Sequence, residues 1–363
     1  MNLENRIQNT EYRCINCESA YIKFVSLNCI RHRLFQARIP FIIGTFILGF
    51  FFSGCGSKIV NKNKGLSDSQ TEAYKIINNS LNSDNPVVRI NAIEISAATR
   101  RDNYLPTIHK MLQDPYVPVR FAATVAIGEM QYPLAINSIN QLLKDRDPNV
   151  IIAAAYAMSR LGSPEYLDIL RKTVVSKGNP TIKANSALLL GKSGDKSSIP
   201  MLYQLMRDPD SPEMVSFQAA EALAMLGDDK IYQTLWTMLI SAYADVRIRG
   251  VKAMGDLGTP QAENALLTML TDPIVEIRLA AAEQLGRLKN DSGKKAVLEV
   301  FQKKLYVNQD MQSRERILTL TALAIGEIGT KDLTKFLPDL MKNESPFVRL
   351  AAAKAVFQSS RTL

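Results

Sequence analysis

The chain has 363 residues, with 44 Lys and Arg against 35 Asp and Glu, a net charge of +9 and a sequence pI near 9.3. Beyond residue 54 the excess falls to +6 with both signs interspersed, so no block of charge defines a nucleic-acid or lipid partner. All four cysteines, Cys14, Cys17, Cys29 and Cys55, lie in the first 55 residues, which excludes disulfides and thiolate metal sites as the cement of the remaining chain.

The first segment has the pattern of an export leader. Arg31, His32, Arg33 and Arg38 precede an apolar run of about 14 residues, Ile39 to Phe52, broken only by Pro40, Gly44, Thr45 and Gly49. The run is short of the roughly 20 residues that cross a bilayer as a helix, and it fits the apolar core of a signal peptide. It ends in Phe52, Ser53, Gly54 and Cys55, which resembles the bacterial lipoprotein cleavage box, with phenylalanine where leucine is commonest. The resemblance implies an acylated Cys55 as the mature N-terminus, with three chains where two suffice for stable anchoring. Gly56, rather than an aspartate, follows the cysteine, and by the same resemblance this points to the outer membrane where the cell has one. A leader of 54 residues is long, and a true start downstream of Met1 is expected; no methionine lies between Met1 and Met111, so such a start would need a non-standard codon, for example at Val25 or Leu34.

Upstream of the run, Cys14 and Cys17 are spaced CxxC, and Cys29 with His32 are spaced CxxH. Tetrahedral zinc accepts such a set, but the fragment would be discarded with the leader, so no metal is expected. From Gly56 to Ser67 the chain is polar and without periodicity. Those twelve residues form a tether that reaches at most roughly 40 Å.

From residue 69 the same pattern returns nine times. In Asp272 to Leu288, taking Arg278 as zero, Asp and Pro open a helix, an aliphatic residue precedes the zero, alanines follow at plus two to plus four, and a small residue lies at plus eight. The register fits Arg89, Arg120, Ile151, Lys183, Ser216, Arg247, Leu318 and Arg349 as well, at steps of 31, 31, 32, 33, 31, 31, 40 and 31 residues once Arg278 is included. Self-similarity at that period predicts an all-α solenoid of about nine helix pairs. Each pair has an A helix, such as Pro260 to Leu270, and a B helix carrying the zero residue. The first A helix is predicted over Ser69 to Asn82 and the last over Leu333 to Met341. Asp147 with Pro148, Asn179 with Pro180 and Asp272 with Pro273 supply N-caps and first-turn prolines, and Gly162, Gly227, Gly258 and Gly329 fall where left-handed C-caps are needed. The chain thus divides into a leader (1–54), a lipidated cysteine and tether (55–68), a helical array (69–358) and a tail (359–363).

The segments PVVRINA at Pro86, PVRFAATVAIG at Pro118, VRIRGVKAMGDLG at Val246, VEIRLAAAEQLG at Val275 and FVRLAAAKAV at Phe347 resemble the HEAT family, specifically the HEAT-like repeats of phycobilisome lyases. The resemblance implies a right-handed superhelix with A helices outside and B helices lining a concave face. It also implies two roles: a protein-interaction scaffold or, as the alternative, a lyase-type catalytic subunit. The recurring Asp and Arg suit a network joining successive repeats better than an anion-binding ladder, and Ile151, Ser216 and Leu318 interrupt it.

Candidate chemistry is sparse. His109 is the one histidine of the array, so neither a di-iron set nor a Cys-His or His-Ser-Asp arrangement can be assembled, and no glycine-rich phosphate loop occurs. No catalytic residue, cofactor or nucleic-acid partner is expected. On helix geometry the solvent-facing positions of the B helices are plus two, five and nine. At plus five, three adjacent repeats carry Val125, Tyr156 and Leu188, and at plus nine the same repeats carry Glu129, Arg160 and Lys192. An apolar strip rimmed by charge is the composition of a groove for a protein or peptide partner; the alternative is that tight curvature buries these side chains against each other. The long step predicts an insertion around a helix from Ser292 to Tyr306, made basic by Lys294, Lys295, Lys303, Lys304, Arg314 and Arg316, which reads as a solvated helix face or, alternatively, as a contact for an acidic partner or lipid headgroups. The expected protein is a scaffold of the bacterial envelope, held to the membrane by Cys55 and binding a protein partner.

Overall fold

A computed structural model describes residues 67–359, which are all helix, turn and short 3-10 segment. Cys55 and the leader lie outside the described residues. In chain order the α-helices are α1 (Asp68–Leu81), α2 (Pro86–Thr99), α3 (Leu105–Lys110), α4 (Val117–Glu129), α5 (Ile136–Leu142), α6 (Pro148–Arg160), α7 (Leu167–Val175), α8 (Pro180–Ser193), α9 (Ile199–Arg207) and α10 (Glu213–Met225). They continue as α11 (Tyr232–Leu239), α12 (Ala244–Leu257), α13 (Pro260–Met269), α14 (Val275–Arg287), α15 (Lys294–Gln302), α16 (Met311–Ile328), α17 (Lys331–Thr334), α18 (Leu337–Leu340) and α19 (Pro346–Ser359).

The ends of these helices follow local chemistry. Ser67 and Gln70 form a capping box at α1, so two free N–H groups are satisfied reciprocally. Asn85, Asp147 and Asn179 cap α2, α6 and α8, each followed by a proline in the first turn. Gly194, Gly258 and Gly329 end α8, α12 and α16 at φ of 80°, 60° and 70°, a conformation that costs a Cβ-bearing residue energy. The last outer helix is split into α17 and α18, with Pro338 in the first turn of the second piece.

The B helices α2, α4, α6, α8, α10, α12, α14, α16 and α19 pack side by side as a continuous inner layer, and the A helices sit outside it, touching one another far less. Small residues at plus eight permit this. A Cβ built on Gly128, Gly191 or Gly326 would meet the backbone Cα of Ala157, Ala222 or Ala355 at 2.8, 2.8 and 2.6 Å. Close approach on the B side alone makes every step turn the same way, so curvature accumulates along the array.

That curvature runs to completion. Instead of an open superhelix, the last inner helix α19 packs on α1 and α2 of the first pair, and one apolar cluster joins Ala73, Ile77 and Ile93 to Leu350, Ala353 and Phe357. The closing contact departs from the repeat rule, because plus eight of the ninth repeat is Phe357. Its ring lies edge-on to Tyr74 at 4.8 Å, and the Arg101 guanidinium sits 4.1 Å from its centroid. A large side chain at this one seam fills a wider gap than glycine or alanine fills elsewhere.

The insertion differs from its expected form. Its A helix α15 stops at Gln302, followed by a turn in which Lys304 has φ of 50°. The extra residues instead form the loop 303–310 and lengthen the B helix α16 to 18 residues, with Asp310 as its N-cap.

Candidate functional site

The turns between A and B helices carry the recurring Asp and Arg. Arg89 donates from Nε and Nη2 to Asp114 at 3.1 and 3.0 Å, Arg120 to Asp145 at 3.1 and 3.0 Å, and Arg247 to Asp272 at 2.9 and 3.3 Å. Each Nη1 is pinned on carbonyls of its own turn, such as Asp114 and Pro115 for Arg120. Each aspartate also accepts an N–H two residues on, from Tyr116, Asp147 and Ile274. One carboxylate thus shapes its own turn and fastens the preceding repeat to it. Lys183 and Asp208 repeat the pairing at 3.9 Å. Burial is the largest single influence on Asp145 and works against its charge, but the hydrogen bonds from Arg120 and the Asp147 N–H, together with the nearby charges of Arg120 and Arg146, outweigh it and hold the carboxyl below its usual range. Replacing Asp145 with alanine is expected to cost roughly 2–3 kcal/mol, because the Arg120 fork loses its partner in a mostly buried site; urea unfolding of the variant measures it.

The network joining successive repeats is the one expected, and its pairing rule, not recognised from the sequence, is visible there: outside the two repeats that flank the insertion, the residue 25 after the zero changes with it. Basic Arg89, Arg120, Lys183 and Arg247 are followed by Asp114, Asp145, Asp208 and Asp272, whereas Ile151 and Ser216 are followed by Ser176 and Ser241.

The inner face of the ring is where the plus-five strip was expected to form a groove. Val125, Tyr156 and Leu188 are 8%, 1% and 1% exposed, so the strip belongs to the interior and offers no open surface. The physical cause is the curvature: Glu129 of α4 forms an ion pair with Lys192 of α8, two repeats away, across the helix that lies between them. Arg160 stays partly exposed, and its backbone carbonyl accepts from Gln131.

The opposite arc of the inner face is charged. Arg249 donates to Glu221 at 3.0 Å, Gln218 donates to the other carboxylate oxygen at 2.8 Å, and Arg287 pairs with Asp256 at 2.7 Å. Glu327 accepts from Gln358, and Glu283 and Lys354 are buried nearby in sequence register. Burial pushes Glu221 and Glu283 up from the usual carboxylate value, opposed at Glu221 by Arg249 and at Glu283 by Lys354 and Lys252. Burial pushes Lys252 down, against the pull of Glu283 and Glu221. Opposite signs alternate here, so the arc is a neutralised network and not a single-sign field.

The remaining candidates are dispersed. His109 lies on the outer helix α3, with Nε2 2.8 Å from the Ser138 hydroxyl, away from the charged arc. Several basic side chains of the insertion have local partners: Lys294 with Asp332 at 2.7 Å, Lys303 with Glu299 at 3.3 Å and Arg316 with Glu276 at 3.6 Å. Among the described residues, no cluster of three or more His, Cys, Asp or Glu could hold a metal ion, and no helix is long and apolar enough to cross a membrane.

Paired helices in a fixed register, tied by an Arg-Asp ladder and stacked on small residues, define a helical-repeat protein. The chain belongs to the HEAT-repeat family, whose model matches residues 119–177, 173–247 and 238–307, more than half of its length. No curated protein matches the sequence. Similar solved structures include human deoxyhypusine hydroxylase in complex with glycerol, at 18% identity and TM-score 0.36, covering 73% of this chain and 98% of that one. The CpcE–CpcF complex of phycocyanin lyase from Nostoc sp. PCC7120 is 16% identical at TM-score 0.40, covering 70% and 94%. Karyopherin Kap121p bound to the extreme C-terminus of the protein phosphatase Cdc14p is 14% identical at TM-score 0.33, covering 79% and 37%.

Proposed function

We propose that this HEAT-repeat protein is a non-catalytic scaffold of the bacterial envelope, held to a membrane by acylated Cys55 and engaging a protein partner with its folded ring. The observation that carries the anchor is the succession of a basic patch, the apolar run Ile39 to Phe52 and the Ser53, Gly54, Cys55 box. Three acyl chains exceed what stable anchoring needs, and a twelve-residue tether would keep the ring within roughly 40 Å of the membrane. A scaffold role is supported by the repeat architecture itself, whose stacked modules present an extended surface. It is supported further by the ionisable groups of the inner face, which are engaged with one another in ion pairs.

Metabolic labelling with palmitate tests the anchor. The wild type should take up label and Cys55→Ala should not; an unlabelled wild type would end the lipoprotein assignment. Pull-down from a solubilised envelope fraction tests the scaffold, and recovery of no protein in stoichiometric yield would count against it.

A further inference from the structure

The ladder has a vacant rung at the seam. Arg349 adopts the pose of its counterparts, with Nη1 donating at 2.7 Å to the carbonyls of both Asn343 and Glu344, as Arg120 does to Asp114 and Pro115. In Arg89, Arg120 and Arg247 this pose aims the Nε and Nη2 edge at an aspartate in the next repeat. The next repeat after Arg349 is the first one, reached through ring closure, and the equivalent slot there holds Ser83.

The identity of the slot is set by its turn. Ser83 Oγ accepts the Asn85 N–H at 3.2 Å, and its carbonyl accepts from Arg89 Nη1 at 2.8 Å, the same two bonds that Asp114 makes with Tyr116 and Arg120. Serine keeps the turn and supplies no carboxylate. Among the described residues no acceptor meets the remaining Arg349 edge. Arg278 also lacks an aspartate, because the insertion displaces the turn that would bring one. Arg349, however, lines a cleft of about 410 Å³ together with the polar Ser83 and Asn79 and the apolar Ile76, Val88 and Met341.

We propose that this seam cleft binds a carboxylate in the fork of Arg349, completing the ninth rung with a ligand where other repeats use their own aspartate. The ligand class is a monoanionic carboxylic acid with a short apolar body. The fork matches a planar carboxylate in two parallel N–H···O bonds, as at three other rungs. The cleft is larger than a carboxylate alone and partly apolar, and Glu72 on its rim disfavours multiply charged anions. A free acid and the C-terminus of a peptide share this chemistry. Because the fork and Ser83 stand on opposite sides of the seam, occupancy also clasps the ring.

The test is thermal unfolding of the full chain at constant ionic strength, with sodium propionate replacing sodium chloride. Wild type should show a saturable rise in Tm with propionate. The rise should vanish in Arg349→Gln, which removes the fork, and in Ser83→Asp, which fills the slot from within the chain. Ser83→Asp should in addition melt higher than wild type in chloride alone, a result that does not depend on Arg349→Gln being stable. A labelled pentapeptide with a free C-terminus, read by anisotropy against its C-terminal amide, separates the sources: binding of the acid alone, tighter than propionate, assigns the site to peptide termini, and binding no tighter assigns it to free acids. Equal Tm in propionate and chloride for wild type, or an undiminished rise in both variants, overturns the proposal.

Discussion

Replacing Phe357 with alanine is expected to open the ring while leaving the nine helix pairs folded. Phe357 is fully buried, and its contacts with Tyr74 and Arg101 belong to the interface between first and last repeats. Truncating such a ring costs about 3–5 kcal/mol, from lost transfer energy and the cavity left behind. In most domains a loss of that size would fall on global stability, but a repeat array holds itself together through nearest-neighbour interfaces, and the seam is one among several. The released interface forgoes its own contacts while the remaining B helices keep theirs. Small-angle scattering should show a larger radius of gyration for Phe357→Ala, with helical circular dichroism close to wild type. Phe357→Leu, which keeps most of the volume, should fall between the two. An unchanged radius in an alanine variant that melts lower would show that closure does not depend on this side chain.

The second large effect is expected at Glu221. Glu221 is 4% exposed, and its carboxylate joins Arg249 and Gln218 in one network across α10 and α12. Glu221→Ala leaves the partly exposed Arg249 guanidinium and the Gln218 amide without their partner, at an expected cost of about 2–4 kcal/mol. The double variant Glu221→Met with Arg249→Met removes both charges and should recover much of that loss, because the penalty arises from the orphaned partner. Chemical denaturation of the two variants decides it, and a double variant as unstable as Glu221→Ala would assign the cost to packing.

The neighbouring Glu283 gives the network a pH signature. Burial raises its folded pKa above the unfolded value, so the folded state holds the proton more tightly than the unfolded chain does. Its stabilising contribution is fully present below the unfolded carboxylate pKa and is lost as pH rises through the raised folded value. Glu283→Gln carries no proton to lose, and its stability should decline less than wild type over that interval.

Much of the architecture was legible because it is written locally and repeatedly. The period, the prolines and polar caps at helix starts, and the small residues at plus eight each act within one turn or between adjacent helices, so nine copies of the pattern state them nine times. The Asp-Arg ties were anticipated as a network, and their pairing of zero with plus 25 is visible in the chain once the geometry points to it. The helix at 292–306 came out shorter and α16 longer, since nothing in the flanking repeats has a counterpart to the inserted residues.

The sequence by itself determined an all-α array, the register of its ladder and the face on which its helices approach. Only the tertiary structure decided that the array closes, since curvature is a sum of small rotations that no single repeat encodes. Closure in turn reversed the meaning of particular residues. Val125, Tyr156 and Leu188 have the spacing of a solvent-facing strip but lie inside a ring tight enough to pair Glu129 with Lys192. Phe357, a misfit in the register, is the side chain that fits the seam, and Ser83, an ordinary turn residue bonded to Arg89, stands in the slot that an aspartate fills in other repeats, lining one cleft with Arg349 only when the ends of the array are brought together.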